Sequence, residues 1–118
     1  MKNILIVDDE EDIRSLYESE LGGEGFITHS VSSGEEALQY VEQNSEVDLV
    51  ILDIKMAQMD GLKVLEELRS RKTTMPVILN SAYSTYKSNF NSWLADAYLV
   101  KSANLTELKN QVKELLAF

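Results

Sequence analysis

The chain has 118 residues, with 11 Lys and Arg against 20 Asp and Glu, a formal net charge of −9. An acidic balance argues against direct contact with nucleic acid or anionic membrane surfaces, both of which are held by basic patches. The absence of cysteine removes disulfide frameworks, thiolate zinc sites and cysteine nucleophiles.

The length fits one domain over residues 1–118, because domains most often run to about 100–150 residues. A chain of this size buries a core without a disulfide or a metal. Met1–Val7 is too short for a secretory leader, whose apolar stretch runs to roughly 7–15 residues. No window approaches the ~18 consecutive apolar residues of a membrane span. The expectation is a cytoplasmic chain with no membrane contact. Pro76 is the only proline, and no repeat or low-complexity tract marks a linker.

In chain order, a first strand is expected at Ile4–Val7, then a helix carrying Ile13, Leu16, Tyr17 and Leu21 at helical spacing. A second strand at Phe26–Val31 leads to a helix marked by Ala37, Leu38 and Val41. Ser33 stands three residues ahead of Glu36, a pattern that starts helices. A third strand at Leu49–Leu52 precedes a helix on Leu62, Leu65 and Leu68. A fourth strand at Val77–Leu79 precedes a helix on Tyr86, Phe90, Trp93 and Leu94, and a fifth at Ala97–Val100 precedes one on Leu105, Leu108, Val112, Leu115 and Leu116. Asn104 and Glu107 repeat the start signal there. The first, third and fourth strands are continuously apolar, as strands covered on both faces must be.

Five βα units in a row predict an α/β fold: a doubly wound, flavodoxin-like (βα)5 three-layer sandwich with a parallel sheet of order 2-1-3-4-5. Such sheets bind ligands outside the carboxyl ends of their strands, where the strand order reverses. Asp8 and Asp9 follow strand 1, and Asp53 follows the neighbouring strand 3. Converging carboxylates raise the cost of ionising all of them, and a hard divalent cation such as Mg²⁺ relieves it. Strand 4 leads into Ser81, and strand 5 into Lys101. A carboxylate cluster, a hydroxyl and a cation on one sheet edge suit the handling of a phosphoryl group, which needs positioning and charge neutralisation. Glu10, Glu11 and Asp12 read as solvated charges favoured by the dipole of the first helix. His29, the only histidine, reads as an exposed residue on the edge strand, and Met56 and Met59 as packing.

With Ile4-Leu5-Ile6-Val7-Asp8-Asp9-Glu10, Leu49-Val50-Ile51-Leu52-Asp53-Ile54-Lys55-Met56, Met59-Asp60-Gly61, Ser81-Ala82 and Tyr98-Leu99-Val100-Lys101 in this order, the chain resembles the receiver (CheY-like) domain of two-component response regulators over its whole length. The resemblance implies that Asp53 accepts a phosphoryl group from a sensor histidine kinase or phosphotransfer protein. It implies that Asp8, Asp9, Asp53 and the backbone carbonyl of Lys55 bind Mg²⁺. It makes Ser81 the hydroxyl that moves toward the phosphoryl group, Lys101 the cation that pairs with it, and Tyr98 the ring that swings inward. The face of the fourth helix, fifth strand and fifth helix would then meet a downstream protein, as a monomer or a phosphorylation-dependent dimer. Lys55 and Tyr83 occupy positions that tune phosphoryl lifetime in the family, and the bulk of Tyr83 would screen the phosphoryl group from water.

Three positions depart from the pattern. Ser102 follows the lysine where the family carries proline, often after a cis peptide, and Ala57 replaces the proline usual after Met56. The third departure is the fourth helical segment, short and rich in Ser and Asn, which are weak helix formers; it is expected to be the softest helix, with Tyr86, Phe90, Trp93 and Leu94 as core anchors. Two other functions compete. A phosphatase of the haloacid-dehalogenase type wants a second acid two residues after its nucleophile, where this chain has Lys55. A phosphorylation-independent pseudo-receiver is the alternative that Ser102 and Ala57 leave open. The expectation is a signalling domain whose only catalysis is self-directed.

Overall fold

The computed structural model describes residues 1–56, 58–71, 74–82 and 94–117. Among them the elements run β1 (Asn3–Val7), α1 (Glu11–Gly23), β2 (Ile27–Val31), α2 (Gly34–Gln43), β3 (Val47–Leu52), α3 (Gly61–Arg71), β4 (Val77–Ser81), β5 (Ala97–Val100) and α4 (Thr106–Leu116). Here α4 is the fifth of the predicted helices. The strands form one sheet in the order β2-β1-β3-β4-β5, and every pairing is parallel. The predicted doubly wound α/β fold is the observed one.

Strand alternation sends side chains to two apolar layers. Leu5, Val7, Val50, Leu52, Val77 and Leu79 pack with Ala37, Leu38, Leu65 and Leu68 of α2 and α3. Ile4, Ile6, Leu49, Ile51 and Ile78 pack with Tyr17 and Leu21 of α1 and with Leu108, Val112 and Leu116 of α4. The central strands β1, β3 and β4 are buried almost throughout. The edge strand β2 instead alternates, with Ile27 and His29 exposed. The His29 ring stacks on Tyr40 at 4.3 Å between centroids, and the residue is exposed as expected.

Arg69 fastens α3 to the amino end of β4. Its guanidinium donates to the carbonyls of Met75 at 2.6 Å and Leu94 at 2.7 Å, and to Asp96 at 2.9 Å. Ser33 caps α2 as expected, its hydroxyl accepting from the Glu36 amide at 3.2 Å while the Glu36 carboxylate accepts from Ser32. The start of α4 differs from the expectation. Asn104 accepts from the amide of Thr106 at 2.9 Å rather than from that of Glu107, so this helix begins with an Asn-centred turn, not a capping box. Leu94, expected as a core anchor, is exposed, as is Leu16 of the α1 pattern. Tyr83, Tyr86, Phe90, Trp93 and Ala57 lie outside the described residues. Among the described residues, no helix is long and apolar enough to cross a membrane.

Candidate functional site

The sheet register builds the site. Val7 pairs with Leu52, and Leu52 with Leu79. One step further along the same strands puts Asp8, Asp53 and Asn80 in a row across the carboxyl edge, on the side of α1 and α4 by alternation. The strand order reverses between β1 and β3, so the row starts at the switch point. Backbone bonds hold it there: the Asp53 amide donates to the Val7 carbonyl at 2.9 Å, and the Asp8 amide to the Val31 carbonyl at 3.2 Å.

Asp8 is 2% exposed and Asp53 4%. Lys101, whose side chain is 14% exposed, reaches between them, with Nζ 2.8 Å from Asp8 Oδ2 and 3.4 Å from Asp53 Oδ2. Glu10 stands 3.8 Å from the same ammonium and donates its amide to Asp8 Oδ1 at 2.9 Å. Burial first, and then the negative charge of Asp8, push the Asp53 carboxyl up to about 6 against the pull of Lys101. Burial draws Lys101 down, but the hydrogen bond to Asp8 and the surrounding acidic charges outweigh it and leave the ammonium raised. Lys101 is therefore firmly charged, and one cation offsets two buried acids.

Carboxylate oxygens of Asp8, Asp9 and Glu10 lie within 4.8 Å of one another. Asp9, Glu10 and Lys55 are exposed at the mouth of the site. The donors are all hard oxygens, two buried acids share one ammonium, and the mouth is open to water. That set fits Mg²⁺, which keeps several waters and takes few carboxylates.

The loop from β3 to α3 explains a motif that the sequence left as text. Asp60 caps α3, its carboxylate accepting from the Lys63 amide at 3.0 Å, and the Gly61 amide donates to the Ile54 carbonyl at 2.7 Å. A Cβ at position 61 would overlap the Asp53 carbonyl oxygen and lie 2.8 Å from Ile54 Cα. Only glycine lets the chain cross this close behind Asp53.

Ser81 is fully buried at the end of β4, and its carbonyl accepts from the Lys101 amide at 2.7 Å. Tyr98 is half-buried and packs against the α2/α3 layer. The Lys101–Ser102 peptide is trans, as are all described peptide bonds, so serine there takes the ordinary isomer. Sequence reasoning missed three neighbours. Glu10 belongs to the carboxylate group rather than only to the helix dipole, and Tyr17 and Asn80 meet beside it in a buried hydrogen bond of 2.6 Å. The polar Asn80 directly after the apolar run Val77–Leu79 of β4 was the one available signal.

A 2-1-3-4-5 sheet with two buried aspartates bridged by a lysine at its switch point defines a doubly wound α/β domain with an acidic carboxyl edge. The response regulator receiver domain model matches residues 4–113, and the chain belongs to that family. It is 36% identical to the regulatory protein AtoC of Escherichia coli K12, over 98% of this chain and 25% of that protein. It is 34% identical to the alkaline phosphatase synthesis transcriptional regulatory protein PhoP of Bacillus subtilis, over 98% of this chain and 48% of that one. The chain thus spans a quarter to about half of these relatives. Among solved structures, the response regulator TrrA of Thermotoga maritima in complex with Mg²⁺-BeF is 49% identical, with a TM-score of 0.96 over 98% of this chain and 100% of that one. TrrA in complex with the histidine kinase ThkA is likewise 49% identical, with a TM-score of 0.93 over 99% of this chain and 100% of that one.

Proposed function

We propose that Asp53 is the phosphoacceptor of a two-component relay. The observation that carries this is the buried Asp53 carboxylate at the switch point, 3.4 Å from a lysine that it shares with Asp8. A carboxylate oxygen of Asp53 attacks the phosphorus of a phosphohistidine on a sensor kinase or phosphotransfer protein. A P–O bond forms, the P–N bond breaks, and its electron pair returns to the imidazole. Hydrolysis later reverses the state: water attacks phosphorus, the P–O bond to Asp53 breaks, inorganic phosphate leaves, and the carboxylate is restored. The reaction is self-directed, so the domain is a switch rather than an enzyme acting on other substrates.

In this reading Asp8, Asp9, Asp53 and the Lys55 carbonyl hold Mg²⁺, and Glu10 borders them. Bound there, Mg²⁺ neutralises charge on the phosphoryl oxygens. Lys101 moves its ion pair from the two acids to the phosphoryl group, and the Ser81 hydroxyl donates to it. Motion of Ser81 lets Tyr98 turn inward, remodelling the face of the fourth predicted helix, β5 and α4 for a downstream protein, as a monomer or a phosphorylation-dependent dimer. Support comes from chemistry of the donor set and from TrrA, a close relative captured with Mg²⁺-BeF and with a histidine kinase. A cytoplasmic place suits such a partner.

Intact mass after incubation with Mg²⁺ and acetyl phosphate tests the reading. The expected result is one added phosphoryl group, absent from Asp53→Asn and from metal-free protein. No gain in a folded protein overturns it in favour of a phosphorylation-independent interaction domain.

A further inference from the structure

Asn80 follows Val77, Ile78 and Leu79 in β4, all fully buried, and it is itself only 3% exposed. A buried amide is costly unless its hydrogen bonds are made. The partner comes from α1: Asn80 Nδ2 donates to the hydroxyl of Tyr17, itself 2% exposed, at 2.6 Å. Packing alone does not call for this pair, because phenylalanine against leucine would fill similar space with no polar atom to satisfy.

Its placement does. Asn80 stands next to Asp53 in the row across the sheet edge, by the register of Leu52 with Leu79. The following carbonyl, that of Ser81, holds the Lys101 amide at 2.7 Å, and Lys101 in turn pairs with Asp8 and Asp53. At the other end, α1 is fixed to the site by Arg14, whose Nη1 donates to the Asp8 carbonyl at 2.8 Å. The contacts thus close a ring: Asp8, Arg14 and Tyr17 on α1, Asn80 and Ser81 on β4, Lys101, and back to Asp8.

We propose that the Tyr17–Asn80 hydrogen bond is a brace for phosphoryl transfer, clamping the carboxyl end of β4 to α1 and so setting where Ser81 and Lys101 stand relative to Asp53. Both are positioning residues that act through Ser81 and Lys101. The inference deepens the receiver reading and rests on it.

The test compares wild type, Tyr17→Phe and the double variant Tyr17→Phe/Asn80→Leu. The double variant removes donor and acceptor together, so it regains the thermal stability that the single variant loses. Transfer is read as phosphoryl uptake from acetyl phosphate with Mg²⁺. The brace predicts a maximal rate about 10-fold lower in both variants, with half-saturating acetyl phosphate unchanged within about twofold. In metal-free protein, hydrogen exchange of the Lys101 amide should speed up about 10-fold in the stable double variant, reporting a loosened β4 end. A double variant with wild-type rate and wild-type exchange overturns the brace and leaves a packing pair. Wild type that takes up no phosphoryl group removes the receiver reading, and the brace with it.

Discussion

The two sides of the sheet are built from the same strands and end differently. On the α2/α3 side, Leu5 and Val7, Val50 and Leu52, and Val77 and Leu79 stay apolar until β4 ends in Ser81. On the α1/α4 side, Ile4 and Ile6, Leu49 and Ile51, and Ile78 run into Asp8, Asp53 and Asn80. The alternation that builds one apolar layer sets a buried polar row at the tip of the other. One side therefore carries stability, and the other spends some of it on charge held out of water.

The largest expected effect breaks the apolar side. Leu65→Ala removes a fully buried side chain from α3 and should cost about 2–5 kcal/mol in urea unfolding. A loss below about 1 kcal/mol would mean that this layer repacks freely, and the contrast with the other side would dissolve.

Next comes the cost of the reactive side. The Asp53 carboxyl is raised from 3.8 to about 6 in the folded chain. The folded state therefore binds the proton more tightly, and that stabilisation is complete below about pH 4 and lost as pH rises through about 6. By linkage the loss has an upper bound of about 3 kcal/mol, with about 1–2 expected once water at the mouth screens the charges. In metal-free protein, Asp53→Asn should thus gain stability over wild type progressively between about pH 4 and 6, and then hold a constant lead. A difference between the two that stays flat with pH would show that Asp53 sits there without strain.

The smallest effect sharpens the boundary. Ser33→Ala deletes the cap of α2 and should cost about 1 kcal/mol. Phosphoryl uptake at saturating donor should stay unchanged, since α2 packs on the apolar side although its first turn opens on the same edge.

The fold and the acids were legible because each depends on local pattern. Apolar runs of β1, β3 and β4 announce strands covered on both faces, and charges at their ends fall at the switch point by topology alone. Lys101 was readable for the same reason. The Tyr17–Asn80 bond was not, because it joins residues 63 positions apart. Tyr17 looks like one more apolar member of a helix face, and Asn80 like a strand end. Glu10 was misjudged because an acid before a helix already has a sufficient explanation in the dipole, which hides its membership of the carboxylate group. The Asn104 signal failed by one residue, since turn-forming asparagine competes with capping asparagine for the same spacing.

Gly61 carries a consequence for variation. It bears no charge, donates nothing to a phosphoryl group and would attract no attention as chemistry. Yet the chain passes so close behind Asp53 that any β-carbon there collides with the aspartate's own carbonyl. Evolution at this position has no conservative exchange to try, because the smallest possible change is already too large. A random-mutagenesis survey of signalling would therefore rank this silent residue beside the proposed phosphoacceptor, for reasons of room alone.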